Sequence, residues 1–496
     1  MALPGLVLLQ VACDAAEAPP APLPPLPPRV EADALPSPGP VRTRRHLVIA
    51  VTGEVRGEVE PCGCPTTPYG GFARRQRLLD GLRAEGPPVF VLDAGEMLVK
   101  ALRVEEAPER RSRARAVLDL ARRTGLDAWA ASPVDLEAAG PPLLKANGAL
   151  AAGWDADGLP ARRIVERNGV RLGVIGLPAP RDGAAPLPAA RAVTQVRAAM
   201  NVDAEAWVVL SNAGDAASRA VAEGVPGLAA VIATRGESLD APYATSGAPV
   251  VEVPDRGRYV TVIRAALGTD PGPLALVERG PLARLSEQRG VLARQSTPEG
   301  RAEAQARVEA TLRDIDTLAA GRNLAHVETR PLGSDLDGPS AVDDVLADWR
   351  SRSTREAEAR AATTSDAPIW AGSGACARCH TGHLAAWTYS PHANAWNALQ
   401  SRGQGENPEC LGCHTTAWGA PGGYGTPTPA ALRTWKGVQC EACHGPLGAH
   451  PEPQRDAPAV TEATCRRCHD AANSPNFDYA TYLARVSCVQ QASREP

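Results

Sequence analysis

From His46 onward the chain alternates short, continuously apolar runs with longer amphipathic stretches. Leu47-Val-Ile-Ala-Val51 reads as a buried strand and Gly70 to Ala84 as a helix. Val89-Phe-Val-Leu92 is a second strand, Glu105 to Thr124 a second helix, and Asp127-Ala-Trp-Ala-Ala131 a third strand. Val170 to Gly176, Ala206 to Leu210 and Leu228 to Ala233 continue the series, with helical pieces between them. Val250 to Val253 and Tyr259 to Ile263 read as a hairpin. Strands that lack polar alternation are covered on both faces, so the pattern predicts an α/β layered sandwich. Beyond it, Val308, Leu312, Ile315 and Ala319 form one apolar stripe on a helix expected from Glu299 to Asn323. Ser340, with Asp343 three residues on, opens a second helix through a capping box, and Val342, Val345, Leu346 and Trp349 are its stripe. Arg350 to Arg360 is charged and expected in solvent, and His326, in a polar stretch between the helices, is expected at the surface.

After about residue 366 the periodicity gives way to short segments around a repeated motif. The copies are Cys376-Ala-Arg-Cys379-His380, Cys410-Leu-Gly-Cys413-His414, Cys440-Glu-Ala-Cys443-His444 and Cys465-Arg-Arg-Cys468-His469. C-x-x-C-H is the attachment signature of c-type haem: two thiols add to the vinyl groups and the adjacent imidazole becomes the proximal iron ligand. A zinc ribbon also pairs C-x-x-C units, but nothing in it demands a histidine directly after every pair. Four covalent haems are therefore expected, too many for so short a segment to build a conventional core. The porphyrins must be the core, packed by the tryptophans that cluster there at 370, 387, 396, 418 and 435.

Distal ligands follow by elimination. The methionines are Met1, Met97 and Met200, all far upstream, so an intrachain distal ligand is histidine or nothing. Beyond the four proximal residues the segment has His383, His392 and His450, which allows three bis-histidine haems and one with an open position.

Composition adds bounds. The chain has 496 residues, 44% apolar and 22% charged, which suits two or three soluble domains. A net charge of −4 implies no global attraction to nucleic acid, and over 366–496 basic and acidic residues nearly balance, so no charged docking face for redox partner proteins can be read. Of the 12 cysteines, Cys13, Cys62, Cys64 and Cys488 lie outside the haem motifs, and Cys488 has no evident role. Bacterial c-type haem is assembled outside the cytoplasm, so a periplasmic or cell-envelope location is expected. Leu3 to Ala12 is too short an apolar run to span a membrane. Ending at Ala12-Cys13, it resembles a lipoprotein signal, which implies a membrane anchor on Cys13; no basic residue precedes the run, and Gln10 stands where leucine is usual. Pro19 to Pro40 is a stiff, extended spacer by composition. The expected organisation is a leader over 1–18, a proline-rich linker over 19–44, the α/β domain over 45–285, a helical connector over 286–365 and a mainly α, haem-packed domain over 366–490.

The haem segment resembles the tetrahaem cytochrome c family that accepts electrons from hydroxylamine oxidoreductase. The resemblance rests on Cys376-Ala-Arg-Cys379-His380, on Trp387-Thr-Tyr-Ser390-Pro391-His392-Ala393, on Cys410-Leu-Gly-Cys413-His414-Thr415, on Val438-Gln-Cys440-Glu441-Ala-Cys443-His444-Gly445-Pro446 with His450, and on Asn473-Ser474-Pro475-Asn476-Phe477. It implies electron transfer, three bis-histidine haems and one lacking a protein distal ligand, with reduction of a small nitrogen oxide at the open iron as the alternative.

Residues 45–285 resemble the calcineurin-like metallophosphatases, in particular the 5′-nucleotidase branch. That family holds two metals with residues from five loops, and this chain departs at each. Glu54-Val55-Arg56 replaces D-x-H, Glu96 the bridging aspartate, and Ser132-Pro133-Val134-Asp135 the Gly-Asn-His-Glu loop. Asn212 replaces the Leu-Ser-His histidine, and Thr234-Arg235-Gly236-Glu237 replaces Gly-His-x-His. Imidazole and carboxylate make a hydrolytic dimetal site and arginine does not ligate, so the resemblance implies a phosphatase fold with a dead site; surviving nucleotidase activity is the remote alternative. The domain keeps Glu60-Pro61-Cys62-Gly63-Cys64 and Gly70-Gly71-Phe72-Ala73-Arg74-Arg75. This stretch resembles the corresponding loop of nucleotidase-like proteins attached to multihaem cytochromes. Cys62 and Cys64 are candidates for a redox or metal role, or else a structural disulfide or two idle thiols.

Overall fold

The computed structural model describes residues 45–61, 68–99, 107–154, 157–181, 185–234, 242–269, 271–278, 280–362, 366–448, 458–470, 473–474 and 476–486. The leader and linker, Cys13, Cys62, Cys64, Arg235 to Glu237, His450 and Cys488 lie outside them.

Two sheets stack face to face. The first runs in the order β11 (Leu274–Leu276), β12 (Asn323–Pro331), β10 (Tyr259–Leu267), β1 (Arg45–Thr52), β2 (Val89–Asp93), β3 (Ala128–Ala130) and β4 (Ala149–Leu150), numbered along the chain. The second runs β5 (Arg162–Arg167), β6 (Val170–Leu177), β7 (Ala206–Ser211), β8 (Leu228–Thr234) and β9 (Val250–Val253). The β1–β4 and β6–β9 runs are parallel, while β10 is antiparallel to both β1 and β12.

Burial explains the unbroken apolar runs. Leu47, Ile49 and Val51 point between the sheets and meet Leu172, Val174, Val208 and Leu210. Val48 and Ala50 point the other way, onto Leu78, Leu79 and Leu82 of α1 (Phe72–Ala84). α2 (Ala107–Arg123), α3 (Pro133–Ala139) and α4 (Pro141–Ala146) form a further apolar cluster around Trp129, while α5 (Ala189–Ala199) and α6 (Asp215–Gly224) cover the second sheet. The predicted α/β sandwich is the observed architecture.

Several expectations within it fail. Val250 to Val253 and Tyr259 to Ile263 are not a hairpin: β9 pairs with β8 in the second sheet and β10 with β1 and β12 in the first. Both runs are buried along nearly their whole length, and insertion into separate sheets covers both faces of each. The chain crosses between the sheets at Arg256 and Gly257, whose φ values are 60° and 56°.

The expected helix to Asn323 also ends early. After α7 (Pro281–Ala293), α8 (Pro298–Ala319) stops because Ala320 and Gly321 turn left-handed at φ 45° and 88°. Asn323 then begins β12, so the stretch read as a helical linker places a strand in the first sheet. His326 is buried, not exposed: it stands opposite Arg264 of β10, with Nδ1 3.3 Å from the Val277 carbonyl. The second helix, α9 (Asp343–Ala361), starts three residues later than expected: Val342 is its N-cap without a side-chain cap bond, and only half of the expected box forms, the Asp343 carboxylate accepting the Ser340 N–H at 2.9 Å. Val342, Leu346 and Trp349 pack into the cluster around Val55, Phe72 and Trp129. Arg350 to Arg360 is less solvated than expected, since Arg350 pairs with buried Glu60 and Ala357 is fully buried.

The last part is a string of short helices: α10 (Ser373–Cys376), α11 (Thr381–Thr388), α12 (Ala395–Gln400), α13 (Pro408–His414), α14 (Pro429–Trp435), α15 (Cys440–His444), α16 (Glu462–Arg466) and α17 (Tyr479–Val486). It abuts α9 closely, because a Cβ on Gly425 would collide with the Glu358 backbone nitrogen. Its side-chain core is small: Leu411, Tyr424 and Leu432, with Trp396, Trp418 and Trp435 packed against them.

Candidate functional site

Each C-x-x-C-H motif forms a single helical turn. The His380 N–H donates to Cys376 O and the His469 N–H to Cys465 O, both at 2.9 Å, while the second and third motifs lie within α13 and α15. A helical turn puts thiols three residues apart on one face, with the imidazole following beside them. No disulfide joins the eight cysteines.

The later motifs converge. A cavity of about 1410 Å³ is lined by Cys410, Cys413, His414, Cys443, Cys465, Cys468 and His469, and exceeds the ~300–1,000 Å³ usual for a small-ligand pocket. A hydrogen bond with Cys413 and burial raise the Cys468 thiol far above its ordinary pKa, and the Cys443 charge adds to this. Burial raises Cys465 as well.

Imidazole orientation fits iron ligation. His414 Nδ1 lies 2.7 Å from Ala395 O and His469 Nδ1 3.2 Å from Ser474 Oγ, which leaves Nε2 for a metal. His444 Nδ1 is buried with no hydrogen-bond partner. His392 lies across from His469 with ring centroids 6.0 Å apart. Metal–imidazole bonds of ~2 Å would put two rings on opposite sides of one ion about that far apart. Burial lowers the pKa of both rings, which favours the neutral, ligating form. His383 instead stacks on His380 at 5.5 Å and 18°, on the same short turn, so the two rings do not face each other across a shared iron. The small side-chain core, the large cavity and the donor set together fit haem.

Sequence reading missed the polar groups that hold this shell. Buried Glu441 accepts the Ala371, Gly372 and Leu447 N–H groups at 3.0, 2.7 and 2.7 Å, tying the approach to the first motif to the third. Asn407, Glu409 and Asn473 join the haem segment to the α/β part through Glu60, Arg113 and Arg256.

A second cluster sits where the dimetal ligands would stand, at the carboxyl ends of β1, β2, β3 and β7, the usual ligand edge of such sheets. Arg56 is at its centre, with its guanidinium 2.5 Å from Glu54 and 3.5 Å from both Glu96 and Asp255. Asn212 donates to Ala94 O and Ala131 O and accepts the Ala179 N–H, and Asp135 caps α3 through Ser132. Among the described residues no group of three or more His, Cys, Asp or Glu side chains is placed to hold a metal ion. Arg56, Glu58 and Glu60 also line the large cavity, so the two clusters share a wall.

At the end of β2, Asp93 accepts from Thr52 Oγ1 at 2.6 Å and from the Gly95 N–H at 2.9 Å. Burial pushes its pKa up to about 7 against the pull of Arg75, and burial pushes Asp135 up to about 6. Both values lie above the unfolded value of 3.8, so the folded chain binds these protons more tightly. Their contribution to stability therefore grows as pH falls from about 7 towards 4 and is absent at higher pH. Urea denaturation of Asp93→Asn at pH 8 and pH 5 should show a smaller gain on acidification than the parent; an unchanged gain would refute the assignment.

Residues 375–445 match the family described as cytochrome c554 and c-prime. Over 97 residues the chain is 31% identical to cytochrome c-554 of Nitrosomonas europaea, a match covering 16% of this chain and 40% of that protein. The chain thus spans well under half the length of this curated relative. The solved structures it resembles include a 5′-nucleotidase precursor from Thermus thermophilus (TM-score 0.39, 19% identity, 54% of this chain and 59% of that one). Another is the sulfate thiohydrolase SoxB of the same species in complex with glycerol (TM-score 0.43, 16% identity, 63% and 61%). The α/β sandwich is followed by a domain of the multihaem c-type cytochrome class. That domain is a cytochrome c554 domain.

Proposed function

We propose that this chain is an exported electron carrier with four covalent haems, held in turn by Cys376/Cys379, Cys410/Cys413, Cys440/Cys443 and Cys465/Cys468, with proximal ligands His380, His414, His444 and His469. The convergence of three motifs on one cavity, with His392 set 6.0 Å from His469, is the observation that carries this reading. His392 serves as the distal partner of His469, while His383 and His450 serve other irons. Haem, when bound, supplies a one-electron iron couple whose potential depends on axial ligands and surroundings. The chain's own part is to fix the imidazoles through Ala395 O and Ser474 Oγ, to keep His392 neutral, and to exclude water with Trp396, Trp418 and Phe477. The α/β part acts as a scaffold without hydrolytic activity, because Arg56 occupies the centre of the carboxylate cluster. No helix among the described residues is long and apolar enough to cross a membrane; membrane attachment is assigned to a lipid on Cys13, and redox proteins are the partners. Cys62 and Cys64 are assigned a redox or metal role.

A pyridine haemochrome assay on the purified chain should give four c-type haems per polypeptide, and fewer would overturn the proposal. One histidine count favours a second reading. Within residues 366–496, three histidines beyond the proximal four leave one iron without a distal ligand from the segment, so a small nitrogen oxide has a place to react. A high-spin ferric signal that shifts on adding nitrite, hydroxylamine or NO would support that reading; a spectrum indifferent to all three would exclude it.

A further inference from the structure

The helix that carries the second motif is fastened at its first turn to the α/β part. Asn407 caps α13 by accepting the Glu409 N–H at 3.0 Å, and its side-chain amide donates to Glu60 Oε2 at 2.5 Å and to Gln404 Oε1 at 2.7 Å. Glu60 and Asn407 are both buried, and the other Glu60 oxygen takes Arg350 of α9. One residue into α13, Glu409 pairs with Arg113 of α2, both side chains being only 12% exposed. Arg113 is itself fixed by Gly57 O at 3.1 Å and by the Trp349 ring 5.4 Å below its guanidinium. Pro61, next to Glu60, is packed just as closely, since a Cβ on Gly71 would stand 2.7 Å from Pro61 Cδ.

These groups are also the cavity wall. Glu60, Arg113, Asn407 and Glu409 line the same space as Cys410, Cys413 and His414. Surface ion pairs contribute little, but charges removed from water beside a redox centre act on it through a weakly screening medium. Resting on the multihaem reading above, we propose that Glu60 and Arg113 are positioning residues for the haem attached at Cys410 and Cys413. Through them the α/β part sets both the seat of that haem and its reduction potential. The cytochrome domain is thereby completed by the domain fused to it.

The sign of the effect separates this role from mere support. A carboxylate in the wall favours the ferric charge and a guanidinium opposes it. Glu60→Gln keeps an oxygen for the Asn407 amide but loses the charge, so one haem should become easier to reduce. Arg113→Met should make the same haem harder to reduce. Each variant is expected to change the reduced-to-oxidised ratio at fixed potential by about tenfold, which is ~59 mV for a one-electron couple. Arg113→Lys, which keeps the charge, should return close to the parent.

The test is spectroelectrochemical titration of the full-length holoprotein and its variants, each with its haem content measured. Opposite shifts confined to one haem support the proposal. Equal shifts in the same direction, or none with the haem count intact, overturn it. Should Glu60→Gln fail to fold, the Arg113→Met and Arg113→Lys pair still decides, because failure of the lysine to restore the potential also overturns it. A parent count below four would instead overturn the multihaem reading on which the proposal stands.

Discussion

Replacing His392 with alanine should convert one low-spin haem per chain into a high-spin one without loss of haem. On the proposed assignment the attachment chemistry is untouched, because it would belong to Cys465, Cys468 and His469. The distal side loses its ring, which lies 6.0 Å from His469 at 52°. The position is held by its backbone: the Val438 N–H donates to His392 O at 2.9 Å, and Trp387 Nε1 donates to Val438 O at 2.7 Å. Gly437 stands so close that a Cβ there would meet Ala393 O at 2.6 Å, so the loop bearing His392 has little room to move. Loss of a histidine ligand changes the axial field, one of the main levers on haem potential. Electron paramagnetic resonance of the ferric variant should therefore show a new high-spin signal that added imidazole abolishes. A spectrum identical to the parent would show that His392 ligates nothing.

What could be read in advance depended on how local the signal was. C-x-x-C-H is complete within five consecutive residues, and the apolar runs at Leu47–Val51 and Val89–Leu92 need no partner to announce burial. The failures came where tertiary pairing decides. Val250–Val253 and Tyr259–Ile263 are each sound strands, but which sheet each joins depends on partners far along the chain. His326 looked exposed because its neighbours are polar, yet the preceding helix ends at Ala319 and Asn323 to His326 enter β12 buried. The clamp on α13 was beyond reach, since Glu60 and Asn407 lie 347 residues apart. Arg56 was legible as a lost metal ligand, but its new duty was not, because Asp255 lies 199 residues further on.

That duty sets the second large effect. Arg56→Met should destabilise the folded chain by about 3–5 kcal/mol near neutral pH, the range found when one partner of a largely buried ion pair is removed. The methionine keeps much of the volume, so the loss is electrostatic. Glu54 and Asp255, only 8% and 6% exposed, would lose the guanidinium they share with Glu96, which is 33% exposed. Burial already raises the pKa of Glu96, and Arg56 holds it down; without the guanidinium it rises further. A carboxyl whose folded pKa is raised is relieved by protonation before the unfolded chain takes up its proton. The deficit of the variant should therefore shrink as pH falls from 7.5 towards the ordinary carboxylate range near ~4. Adding Glu54→Gln in the Arg56→Met background should recover part of the stability at pH 7.5, because it removes one of the mutually repelling carboxylate charges that Arg56 offsets; the two changes are then non-additive. Urea denaturation of the single and double variants at pH 7.5 and 5 measures both effects. A deficit independent of pH, together with a double variant that loses the sum of the single losses, would mean that Arg56 is held by packing and that the carboxylates do not depend on it.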